Sequence, residues 1–332
     1  MAQELRTEPS LATTYFGDRL ADAVERKRSQ LVVGLDPQVD LLPIELRGDV
    51  HLGREHAAEA FGRFCRGVID AVAPYVVAVK PQSAFFEELG ADGVRALEDV
   101  CAYARQAGLL VILDAKRGDI GSTSRAYASA FLEGTAEPSV RDRGPGEGVG
   151  GNREVPPGGA RPPLADALTV NPYLGRDAIE PMLAACKREG AGIFCVVKTS
   201  NAGSVEVQDA ILTDGKPLWQ HVARLVREWG EDIVGARGLS SVGAVIGATH
   251  PRAVGEARRL LPQSILLLPG VGAQGATPAD VARAFTSGPA SALVTVSRAL
   301  IYAFRVDGGE WRAAAGAEAA RLRGEVWTVS GW

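Results

Sequence analysis

Short apolar runs recur along the chain, each closing on a polar residue or a turn signal. Eight are evident, at residues 31–36, 76–80, 109–114, 167–171, 193–198, 244–249, 265–269 and 292–297. Most are continuously apolar rather than alternating, the pattern of parallel strands buried on both faces. Helical periodicity fills the gaps. Between 55 and 73, Ala60, Phe64 and Val68 form one stripe, with Phe61 and Ile69 beside it. Further helices are predicted over 93–107, 177–189 and 218–229, each stopped by the glycine that follows. Thr277-Pro278-Ala279-Asp280 supplies an N-cap, a proline at the first helical position and an acid in the first turn. Eight strand–helix alternations predict an α/β fold of the (β/α)8 TIM barrel type. An open doubly wound sheet is the alternative, because strand number alone does not prove closure.

One segment interrupts this rhythm. Residues 134–163 hold eight glycines and six prolines in thirty positions, with almost no large apolar side chains. Such a composition cannot bury a core, so it reads as a flexible surface insertion in a single barrel domain. The barrel core is expected at about residues 15–323, with residues 1–14 and the tail beyond Arg323 peripheral.

Composition narrows the function classes. Lys and Arg number 36 against 40 Asp and Glu, a net charge of -4, which leaves no nucleic-acid footprint. No apolar run approaches the roughly 18 residues that span a bilayer, so no membrane partner is expected. The polar, acidic first ten residues do not read as a signal peptide. Cys65, Cys101, Cys186 and Cys195 form no CxxC pair and have no histidine at ligand spacing. They read as buried thiols of a cytoplasmic protein, with no metal site.

The predicted strand ends carry the chemistry. In order they present Asp36, Lys80, Asp114 with Lys116, Asn171, Lys198 before Thr199-Ser200-Asn201, Thr249 with His250, the Gly270 loop, and Ser297 with Arg298. Strand alternation puts Asp114 and Lys116 on one face about 7 Å apart, as an ion pair or as a catalytic pair. Charge at a buried strand end is costly unless it is paired or used. The stretch from Pro269 to Thr277, with Gly270, Gly272 and Gly275, suits a phosphate cradle before a helix N-terminus, and Arg298 can add a bidentate contact. The same glycines match a dinucleotide fingerprint, but the acid it expects is missing between Val281 and Val306.

Asp114-x-Lys116-x-x-Asp119-Ile120 followed by Thr123, Val79-Lys80-Pro81, and the Gly-Leu-Asp36-Pro run together resemble the signature of orotidine 5′-phosphate decarboxylases. The runs 170–175, 197–201 and 269–275 resemble the longer bacterial branch of that family, and the likeness extends from about Leu31 to Tyr302. It implies cofactor-free loss of CO2 from C6 of orotidylate, giving UMP for pyrimidine biosynthesis. It further implies that Lys80, Asp114 and Lys116 form a charged network at the scissile carboxylate, with Lys116 protonating the C6 carbanion. Asp119 would complete the network from the other subunit of a homodimer, and Thr123 would touch the ribose from there. Asp36 would bind ribose hydroxyls, Ser200 the pyrimidine amide, and Gln274 and Arg298 the phosphate. Asn171, Thr199 and Gly275 join the expected substrate-binding set. The alternative is a sugar-phosphate decarboxylase or aldolase on the same barrel, using Mg²⁺ or a Schiff base on Lys198 or Lys80.

Overall fold

The computed structural model describes residues 14–134, 162–272 and 274–332. Its strands are β1 (Leu31–Leu35), β2 (Ala78–Pro81), β3 (Leu110–Arg117), β4 (Ala167–Val170), β5 (Gly192–Lys198), β6 (Ser240–Ile246), β7 (Ser264–Pro269) and β8 (Ala292–Val296). All pair in parallel, and β1 closes the ring against β8. The fold is therefore the (β/α)8 barrel, and the open sheet is excluded. Its strands are buried along most of their length, as two-sided apolar runs require.

The helices are α1 (Phe16–Lys27), α2 (Arg54–Val72), α3 (Ser83–Glu87), α4 (Gly90–Gln106), α5 (Gly121–Leu132), α6 (Arg176–Glu189), α7 (Ser204–Gln208), α8 (Leu218–Gly230), α9 (Pro251–Leu260), α10 (Arg298–Ile301), α11 (Phe304–Asp307) and α12 (Trp311–Ser330). A 3-10 segment, Pro278–Phe285, takes the helix position between β7 and β8. Thr277 and Asp280 cap it in a reciprocal box, so the predicted start is right while the helix type is 3-10.

The core has two layers. Inside the barrel, Val32, Ile112, Phe194, Val245, Leu267 and Leu293 pack with Phe16, Leu20 and Val24 of α1, which plugs the N-terminal end. Phe16 meets Phe194 edge-on at 5.9 Å between ring centroids. Outside, Phe61, Phe64 and Val68 of α2 pack against the strands, as their spacing predicts.

Several boundaries differ from expectation, among them the start of β6 and the end of the chain's last helix. β6 begins at Ser240, four residues before the apolar run, because Ser240 and Ser241 are themselves buried. Ser240 Oγ donates to the Gly230 carbonyl at 3.0 Å, which satisfies the hydroxyl inside. The tail beyond Arg323 is not peripheral: α12 continues to Ser330, and Val326 is wholly buried. Gly67 makes room for this helix, since a Cβ there would lie 2.2 Å from the Trp311 ring. Most of the Gly/Pro-rich insertion and residues 1–13 lie outside the described residues.

Candidate active site

The C-terminal strand ends surround a cavity of about 300 Å³. At its base three charged groups meet. Lys80 Nζ donates to Asp114 Oδ2 at 2.5 Å, and Lys116 Nζ donates to Asp114 Oδ1 at 2.5 Å. Lys80 and Asp114 are buried, whereas the Lys116 side chain is 47% exposed toward the cavity mouth. Burial alone would raise the Asp114 carboxyl, but the two ammonium groups overcome it and hold the acid well below the usual carboxylate range. Burial alone would lower Lys80, yet Asp114 and then Asp36 outweigh it and hold the ammonium above its usual value. Two cations against one anion leave this triad one net positive charge.

Lys116 is held in a left-handed conformation, φ +47°, which is uncommon for a residue with a side chain. β3 loses its regular register with β4 between Leu113 and Arg117, and the bend turns Lys116 over the cavity. The hydroxyl of Thr169, on β4, fills this irregularity. It accepts from the amides of Ala115 at 3.0 Å and Lys116 at 2.9 Å, and donates to Asp114 Oδ1 at 3.0 Å.

β1, beside β2 in the ring, and β7 and β8 supply further walls. Asp36 follows β1 and lines the cavity, and its Oδ1 is buried without a hydrogen-bond partner among the described residues. Tyr302 sets this loop: its hydroxyl donates to the Asp36 carbonyl at 3.1 Å and accepts from the Gln38 amide at 2.9 Å. Arg298 and Gln274 also line the cavity. Arg298 is exposed and has no ion pair among the described residues. The phosphate loop differs from a plain amide cradle. The amides of Gly272, Gly275 and Ala276 donate within the loop, to Ala276, Gly272 and Gly270 respectively, and the cap of the 3-10 segment is closed by Asp280. Gln274 and Arg298 bring an amide and a guanidinium side chain to the same cavity. Val245, Leu267 and Pro269 add an apolar face to the same cavity.

Comparison with known proteins agrees with this arrangement. The model of the orotidine 5′-phosphate decarboxylase / HUMPS family matches residues 29–137 and 160–306. The orotidine 5′-phosphate decarboxylase of Rhodopirellula baltica is 46% identical over 291 residues, covering 87% of this chain and 89% of that protein. The enzyme of the same name from Deinococcus radiodurans is 39% identical over 315 residues, 95% of this chain and 99% of its own. The solved structure of Leishmania donovani OMP decarboxylase superposes with a TM-score of 0.67 at 28% identity, covering 96% of this chain and 99% of that one. This chain belongs to the orotidine 5′-phosphate decarboxylase family.

Within that decarboxylase frame the expected residues divide in two. Lys80, Asp114, Lys116, Asp36, Thr199, Ser200, Gln274 and Arg298 share the cavity. Asp119, Thr123, Asn171 and Gly275 do not line it. Asp119 accepts from the Ile120 amide, Thr123 is exposed on α5, and Asn171 caps the turn that follows β4 by accepting from the Tyr173 amide at 3.1 Å. Lys198 turns behind the loop that carries Ser200. It is buried and bonds Asp209 at 2.8 Å and Ser204 at 3.2 Å, while Gln208 and His250 hold Thr199 from the same side. Sequence reading missed Thr169, Gln82 and Thr295 as cavity residues, whereas Ser297, read at the eighth strand end beside Arg298, does line it.

Proposed function

We propose that this chain decarboxylates orotidine 5′-phosphate to UMP, with Lys80, Asp114 and Lys116 performing the chemistry. The carrying observation is the Asp114 carboxylate clasped by two ammonium groups in the cavity that Arg298 and Gln274 also line. Arg298 and Gln274 bind the phosphate, Asp36 the ribose, and Ser200 the pyrimidine amide.

The bond between C6 and the carboxylate carbon breaks, its electron pair stays on C6, and CO2 departs. The developing carbanion gains from the adjacent Lys116 ammonium, which then donates its proton to C6 and is reprotonated by solvent. In this reading no cofactor is needed, because one lysine supplies both the cation and the proton. A substrate carboxylate about 4 Å from Asp114 would be repelled by roughly 4 kcal/mol at an effective dielectric near 20, and loss of CO2 relieves that repulsion. The remote phosphate supplies binding energy that is used at C6.

The active unit in this reading is a homodimer with shared sites. Asp119 and Thr123 stand outside their own cavity, and beside them Ile120, Tyr173 and Leu174 expose 58%, 78% and 48% of their surfaces. An apolar rim around polar groups suits a second copy that receives Asp119 at its triad. The protein then works in the cytoplasm on a nucleotide. No described helix is long and apolar enough to cross a membrane. A Schiff-base role for Lys198 has no support, since that lysine is committed to Asp209 behind the loop.

An EDTA-treated sample assayed with orotidylate, followed by pyrimidine absorbance, tests the activity. Turnover is expected, and its absence from well-folded protein overturns the reading. Mixing inactive Lys116→Ala and Asp119→Ala chains tests the shared site: mixed dimers regain one complete site, so activity returns. Permanent inactivity in mixtures shown to exchange subunits refutes sharing.

A further inference from the structure

We infer that Thr169 is a positioning residue that sets the place of the Lys116 ammonium. The inference rests on the decarboxylase reading. It follows from how one hydroxyl group is used. Between Leu113 and Arg117 the β3 ladder to β4 slips, and the amides of Ala115 and Lys116 find their acceptor in Thr169 Oγ1, at 3.0 and 2.9 Å. A hydroxyl has two acceptor lone pairs and one proton. With both lone pairs taken by amides, the proton is directed to Asp114 Oδ1 at 3.0 Å. That oxygen also holds Lys116 Nζ.

Thr169 therefore grips Lys116 at both ends. Its lone pairs hold the Lys116 backbone in the left-handed region, and its proton orients the carboxylate that anchors the ammonium. Thr169 is 1% exposed, so bulk water has little access to replace it. Without the hydroxyl, two amides at a part-buried bend lose their acceptor, and Lys116 loses the contact that favours φ +47°. The phosphate and pyrimidine contacts come from other strands and stay in place.

Valine keeps the shape of threonine and removes the hydroxyl; serine keeps the hydroxyl and removes the methyl group. In Thr169→Val, kcat is expected to fall about 100-fold, the scale of a small misplacement of a reacting group. KM and the Kd for UMP should stay within about threefold, because the interaction removed acts in the transition state. Thr169→Ser should restore most of kcat. A role in folding alone would lower thermal stability and UMP affinity together with kcat, without selective rescue by serine. Unchanged kcat in Thr169→Val, or joint loss of kcat and UMP binding that serine does not repair, overturns the inference. If the valine variant does not fold, Thr169→Ala against Thr169→Ser decides: equal kcat in the two refutes it. Wild-type protein that binds UMP but never turns over orotidylate would instead sink the decarboxylase reading itself.

Discussion

Lys80 and Asp114 form an ion pair largely shut off from bulk water: Nζ stands 2.5 Å from Oδ2, and the side chains are 6% and 10% exposed. Asp114→Asn would leave the Lys80 ammonium buried beside a neutral amide. Removing one partner of a buried pair costs about 3–5 kcal/mol, so a marked fall in thermal midpoint is expected along with loss of turnover. The pH dependence follows from the directions of the shifts. Asp114 is depressed in the native state, so its stabilisation is full above the ordinary carboxylate value near 4 and is lost as pH falls through the lower native value. Lys80 is raised, so its contribution is full below the ordinary lysine value near 10.4 and is lost as pH rises through the higher native value. Denaturant midpoints of wild type and Asp114→Asn should differ most near neutrality and converge in acid.

Lys116→Ala should separate chemistry from folding. The side chain is 47% exposed and packs no core, so circular dichroism and thermal midpoint should hardly change. Turnover should drop by at least about 10³-fold, because both the cation at C6 and the proton donor are gone. A variant retaining a tenth of the wild-type kcat would remove Lys116 from the centre of the mechanism.

Arg298→Ala should act on substrate affinity. An exposed guanidinium with no internal partner among the described residues costs little to remove from the fold. A charge-assisted hydrogen bond is worth about 1.5–3 kcal/mol, so KM for orotidylate and Kd for UMP should each rise roughly 10- to 150-fold. Inorganic phosphate should compete with UMP in wild type and much less in the variant. Equal affinities in the two proteins would move the phosphate site elsewhere.

The thiols should be silent in the native protein. Cys65, Cys101, Cys186 and Cys195 are all buried and free. Burial pushes Cys101 and Cys186 up to about 12, and Cys65 and Cys195 are raised as well. The thiolate is the reactive form, so a thiol reagent at neutral pH should label none of the four before unfolding and all four in denaturant. Rapid labelling of folded protein would show that the barrel opens locally.

Much of this molecule was legible in one dimension. A parallel strand buried on both faces leaves a continuous apolar run, and the polar residue that ends it marks the rim of a barrel. That is why eight strands, and Asp36, Lys80, Asp114, Lys116 and Arg298 among their ends, could be read from the chain. Ser240 and Ser241 hid the start of β6 because small buried hydroxyls carry no apolar signal. Tertiary structure alone decided partners. Lys198 stood at a strand end as either an ion-pair partner or a rim cation, and the fold paired it with Asp209. Within the glycine loop, three amides found acceptors among the loop's own carbonyls. Thr169 looked like an ordinary strand residue, and only the slip of β3 against β4 brought Asp114 and the Lys116 amide to its hydroxyl. The reason is physical: periodicity reports which side of an element is buried, whereas a hydrogen bond between residues some fifty positions apart exists only once closure sets one strand beside another.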